Sequence, residues 1–116
     1  MKSAILLAAS LAFATCAAAE QKHGVEVYPN AKADAKVAKQ LEKMNIKNAG
    51  TYRTTDAVGK VAEFYRKQGL KEGPGTSAQG AMFTGKGTTV TIQNPWLDMD
   101  TSTVTKDTLI SIVKNK

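Results

Sequence analysis

One cysteine, one histidine and one tryptophan are all that 116 residues offer of the side chains that most often do redox, acid–base or stacking work. The cysteine, Cys16, lies inside an apolar leader, so the remainder of the chain carries no thiol. No disulfide can staple that remainder, and no thiolate can serve there as nucleophile or metal ligand. His23 sits close to the start of the remainder, where chain ends commonly fray, and a Ser/His/Asp arrangement cannot be assembled without it. No glycine-rich segment matches a phosphate-binding loop, and no repeat, low-complexity tract or second domain is visible. The residue inventory therefore points away from catalysis and from any bound cofactor.

What is present begins with the leader. Lys2 supplies a positive start, "AILLAASLAFATCAAA" follows as sixteen uncharged residues, and Ala17-Ala18-Ala19 forms an A-x-A cleavage site before Glu20. This is the pattern of a secretory signal peptide over residues 1–19, leaving one small domain at 20–116. A membrane-spanning helix needs ~20 predominantly apolar residues, more than this alanine-rich run supplies. The alternative is a lipoprotein acylated at Cys16, but Thr15 stands where such a signal wants Gly, Ala or Ser. A periplasmic or secreted protein without a transmembrane segment is the expectation. Loss of Lys2 with the leader leaves 15 of the 16 basic residues against 10 acidic ones, a net +5. That charge favours loose attraction to anionic surfaces and says nothing about fold.

The mature chain opens with a short strand around Val25 and Val27, turned at Pro29-Asn30. "ADAKVAKQLEKMNI" reads as a helix, with Val37, Leu41 and Met44 at i, i+4, i+7. Lys32, Lys36, Lys39, Lys43 and Lys47, at spacings of 4, 3, 4 and 4, would form one stripe opposite the apolar side. Such a stripe could hold an anionic membrane or polymer, or simply keep a docked helix soluble. The narrow apolar side has no Trp or Phe of the kind an interfacial helix carries.

"AGTYRT" reads as a strand, and "TTDAVGKVAEFYRKQGLKEG" as a second helix. Thr55 or Asp56 is its expected cap, Val58, Val61, Ala62 and Tyr65 its buried face, Glu63 and Lys67 a favourable pair, and Gly69 its stop. Gly59 inside it costs roughly 1 kcal/mol against alanine, explained either by close approach to the sheet or by a tolerated exposed site. Strands follow at Ala81–Thr84, Thr88–Gln93 and in "KDTLISIVK", where Leu109 and Val113 oppose Ile110 and Ile112, the pattern of a central strand. "EGPGTSAQG" between helix and strand reads as a mobile loop. The expected core gathers Leu41, Val61, Tyr65, Val90, Ile92, Ile110 and Ile112. The fold expected from these elements is an α+β two-layer sandwich. In it, a small, mainly antiparallel sheet of three to four strands, plus a short N-terminal one, is covered on one face by two helices.

"YRTTDAVGKVAEFYRKQGL", with "VYPNAK" upstream and "VTIQNPW" downstream, resembles a small uncharacterised family of exported bacterial proteins, over residues 25–113. The resemblance implies an α+β domain and transfers no activity to any residue.

The stretch "QNPWLDMD" falls in a connection, Asn94–Lys106, longer than a tight hairpin needs. A calcium loop starting at Asp98 would put Thr103 at the glycine position and Leu109 at the bidentate glutamate position, so that reading fails. Asp98 and Asp100, two apart on a loop, do not place an acid and a base on opposite sides of a sugar. His23, Met82 and Met99 follow no copper-ligand spacing. Trp96 is either a stacking platform or an anchor folded onto the core, and the anchor is expected. The functional expectation is an exported, non-catalytic binding or interaction module of the cell envelope. Its candidate surface comprises Asn94, Trp96, Asp98, Met99 and Asp100 with Lys32, Lys36, Lys39, Lys43 and Lys47. The partner would be an envelope protein or an anionic envelope polymer; export and the lack of an aromatic–basic motif speak against nucleic acid. A small periplasmic enzyme or a weak metal-binding protein is the alternative.

Overall fold

The computed structural model describes residues 20–115. The leader and Cys16 lie outside the described residues. In chain order the elements are β1 (Gln21–Lys22), β2 (Val25–Glu26), β3 (Lys32–Ala33), α1 (Ala35–Lys43), β4 (Gly50–Thr54) and α2 (Val58–Lys67). Then follow β5 (Lys71–Glu72), β6 (Gly80–Gly85), β7 (Thr88–Gln93), β8 (Trp96–Asp98), β9 (Thr103–Thr105) and β10 (Thr108–Lys114).

This content overturns the expected α+β sandwich. Ten strands lie in three sheets among the described residues, with only two short helices of nine and ten residues. One sheet has six strands in the order β3-β4-β10-β7-β6-β5, every neighbouring pair antiparallel; β1-β2 and β8-β9 are separate two-stranded hairpins. The unexpected strands are short ones of two or three residues, too brief to show alternation in the sequence.

The helices do not share a face of the sheet, which corrects the second part of that expectation. Side chains alternate across a strand, so registered neighbours share one face. Tyr52, Ile110, Ile92 and Ala81 are aligned across four strands, and Ile112, Val90 and Phe83 form the next row. This inner face packs against Val58, Val61, Ala62 and Tyr65 of α2 and against Val25, Val27 and Tyr28 of the N-terminal segment. On the outer face Leu109 packs with Val37 of α1 and Trp96 of β8. A central strand apolar on both sides needs cover on both sides, and α1 with the β8-β9 hairpin supplies the second layer.

Six of the seven expected core residues are fully buried; Leu41 is only half-buried and outside the core. β10 sits between β4 and β7, central as its two apolar faces require. The α2 cap differs from expectation. No side chain caps that helix: Asp56 accepts instead from the Tyr28 hydroxyl and from Asn30 Nδ2 at 3.2 Å. Glu63 pairs with Arg66 at 2.7 Å, and Arg66 also reaches Glu72 at 2.9 Å; these replace the expected Glu63–Lys67 pair. Gly69 ends the helix as expected, at φ +82°, where a side chain would be strained. Around Gly59 an added Cβ would meet nothing within 4 Å, so close approach to the sheet is not its reason.

Candidate functional site

The Asn94–Lys106 connection is not a loop but a hairpin laid beside α1. Trp96 pairs with Thr105, Leu97 with Val104 and Asp98 with Thr103, so Trp96 and Asp98 point to one side and Leu97 and Val104 to the other. Trp96 is the anchor. It is 5 % exposed and packs with Val37 and Leu109, and its indole N–H donates to Asp107 Oδ1 at 2.8 Å. The Arg53 guanidinium stands 5.1 Å from the ring centroid, within cation–π reach. A ring covered on these sides is not free to stack a ligand.

Three aspartates divide their oxygens so that α1, β4 and the hairpin are clamped together. Asp34 Oδ1 accepts from the amides of Lys36 at 3.0 Å and Val37 at 3.2 Å, capping α1, while its Oδ2 takes Arg53 Nη1 at 3.1 Å. Asp107 gives Oδ1 to the indole and Oδ2 to Arg53, at 2.9 Å from Nε and 2.8 Å from Nη2. Asp98 Oδ1 accepts from Gln40 Nε2 and the Asp100 amide, both at 3.0 Å, and from the Thr101 amide at 3.4 Å. Its Oδ2 faces Lys36 Nζ at 3.5 Å. Burial pushes the Asp98 carboxyl up, but these donors and the lysine outweigh it and hold the group below its ordinary value. Donation to Asp107 chiefly, and to Asp34, raises the Arg53 guanidinium above its ordinary value against the opposing effect of burial.

Beside this clamp lies a cleft of about 480 Å³, lined among others by Asn30, Lys32, Asp34, Arg53, Thr55 and Asp107. Its two carboxylates are already engaged, by the guanidinium and by the α1 cap or the indole. Among the described residues no group of three or more His, Cys, Asp or Glu side chains is placed to hold a metal ion.

The expected lysine stripe is divided between two elements and the connection that follows them. Lys36, Lys39 and Lys43 lie on α1, within about 60° of one another at 100° per residue. Lys32 is on β3, registered with Arg53, and Lys47 lies past the helix end. That end is set by Asn45 at φ 68°, with the Ile46 amide donating to Leu41 O at 2.9 Å. Of the other anticipated residues, Asn94 donates to Thr108 Oγ1 at 3.0 Å, Asp98 is buried, and Met99 and Asp100 are exposed.

Sequence reasoning missed Arg53, Asp34 and Asp107, and the outward pair Leu97 and Val104. Asp34 had a local signal, an acidic residue directly before the helical periodicity. Arg53 and Asp107 meet only through the β4–β10 pairing. Among the described residues no helix is long and apolar enough to cross a membrane. No family model, curated protein or solved structure matches the chain.

Proposed function

We propose that the chain is an exported, non-catalytic interaction module of the cell envelope, periplasmic or secreted after cleavage behind Ala19. It engages an anionic envelope component through the side of the sheet that carries α1 and the β8-β9 hairpin. One observation carries this reading. Five large apolar side chains are exposed among the described residues (Met44, Met82, Leu97, Met99 and Val104), and all five lie on that side. Leu97, Met99 and Val104 belong to the hairpin, Met44 ends α1, and Met82 registers with Thr91 on the outer face of the sheet. Apolar side chains concentrated on one side, next to a run of lysines, mark a contact surface more than scattered exposure does.

The cleft supports the non-catalytic part. A general base must be free to take a proton, and the carboxylates there are committed to holding α1, Arg53 and Trp96. The test is an amide shift titration of the exported form against anionic vesicles, a soluble polyanion and envelope glycan fragments. Shifts should concentrate at residues 36–44 and 96–105. Shifts confined to Asp34, Arg53 and Asp107 would move the site to the cleft and overturn the proposal.

A further inference from the structure

We infer that the anionic partner is a lipid bilayer: Leu97, Met99 and Val104 enter the headgroup boundary while Lys39 and Lys43 meet anionic headgroups. The inference rests on the interaction-module reading and adds the chemistry of the partner.

The lysines and the apolar ridge belong to one unit. Gln40, one turn from Lys36 and three residues from Lys43, donates to Asp98 at 3.0 Å and accepts from the Met99 amide at 3.4 Å. Lys36 and Lys43 therefore border the hairpin, and Lys39 follows on the solvent side of the same helix. Met44, 51 % exposed, lies one turn beyond Gln40. The acids exposed on these two elements are Glu42 and Asp100, because the Asp98 charge is taken up by Lys36 and by the hairpin's own amides.

Two features select a bilayer over a soluble polyanion. Leu97 and Val104, at 57 % and 62 % exposure, face each other across the hairpin, and Met99 at 54 % stands at its tip. A polyanion would satisfy the lysines and leave these side chains in water. An acyl boundary removes them from it, at about 25 cal/mol per Å² of apolar surface covered. The tip that joins the strands, Met99 to Ser102, carries the Thr101 and Ser102 hydroxyls and the Asp100 carboxylate, polar groups that stay in the headgroup layer while Met99 goes deeper. The inward anchoring of Trp96 and Asp98 presents this ridge on a held hairpin, so little ordering is lost on contact. Attachment through one shallow apolar patch and a few lysines is reversible and sensitive to salt.

The test is co-sedimentation of the exported form with vesicles of phosphatidylglycerol and phosphatidylethanolamine, with phosphatidylcholine vesicles and with dextran sulfate. Binding to the anionic vesicles should exceed binding to phosphatidylcholine at least tenfold and weaken as salt rises. Lys39→Gln with Lys43→Gln should weaken it by about 30-fold, at about fivefold per lysine. Leu97→Ser with Val104→Thr, both at exposed positions and checked for an unchanged melting temperature, should weaken vesicle binding while leaving dextran sulfate binding unaltered. Vesicle binding that ignores the Leu97/Val104 variant would overturn the inference. So would dextran sulfate binding without vesicle binding, an outcome that leaves the interaction-module reading standing. Binding to neither would remove both.

Discussion

Trp96→Ala tests whether the hairpin is held by its indole. The substitution removes a side chain that is 5 % exposed, its packing against Val37 and Leu109, the 2.8 Å bond to Asp107 and the ring beneath Arg53. Truncating a core tryptophan costs about 3–5 kcal/mol. The Trp96 cluster contains only three buried residues, so its surroundings can partly close over the gap, and about 3 kcal/mol is expected. Trp96→Phe keeps most of the apolar contact and loses the N–H donor; it should cost about 1–1.5 kcal/mol plus whatever the smaller ring leaves unfilled. Urea unfolding followed by far-ultraviolet circular dichroism measures both without relying on the lost fluorophore. A cost below about 1 kcal/mol for Trp96→Ala would refute the anchor and with it the fixed presentation of Leu97 and Val104.

Three further outcomes follow from single features. Gly59→Ala should stabilise by about 0.4–1 kcal/mol in the same urea assay, because the helix gains a better former at a site with open space around it. All three tyrosines resist ionisation: burial first, then Asp56, pushes Tyr28 up to about 12; burial and Glu20 push Tyr52 up to about 12; burial raises Tyr65 as well. Their native values exceed the ordinary 10.0, so this stability is fully present below pH 10 and is lost as pH rises toward 12. Phenolate absorbance should therefore show no tyrosine titrating near pH 10 before alkaline unfolding. Intact mass of the exported protein should match residues 20–116 without an acyl adduct; an adduct on Cys16 would establish the lipoprotein form instead.

The sequence was most legible where periodicity runs long. α2, β7 and β10 show their 3.6- or 2-residue patterns over six or more positions, and six of the expected core residues follow from those patterns. The layering is legible too: Leu109 opposite Ile110 requires cover on both sheet faces, which two helices on one face cannot supply. β8 and β9 escaped because three residues each cannot display alternation, and "DMDTST" between them reads as loop. The lysine periodicity ran past the true helix, which Asp34 starts and Asn45 stops. Each of those residues had a local signature, but the spacing of the lysines carried through both. The Arg53–Asp107 clamp depends on strand pairing between residues 54 positions apart, which no local pattern encodes.

Because residues 20–116 contain no cysteine, single fluorophores can be placed on either side of the sheet in the exported form without removing a native thiol. An environment-sensitive label at Leu97→Cys reports the hairpin ridge, and the same label at Lys60→Cys reports the solvent side of α2, across the sheet. Addition of phosphatidylglycerol-containing vesicles should shift the emission at position 97 to the blue and leave position 60 unchanged. A response at position 60 with none at 97 would contradict the assignment of the working surface to the side that carries α1 and the hairpin.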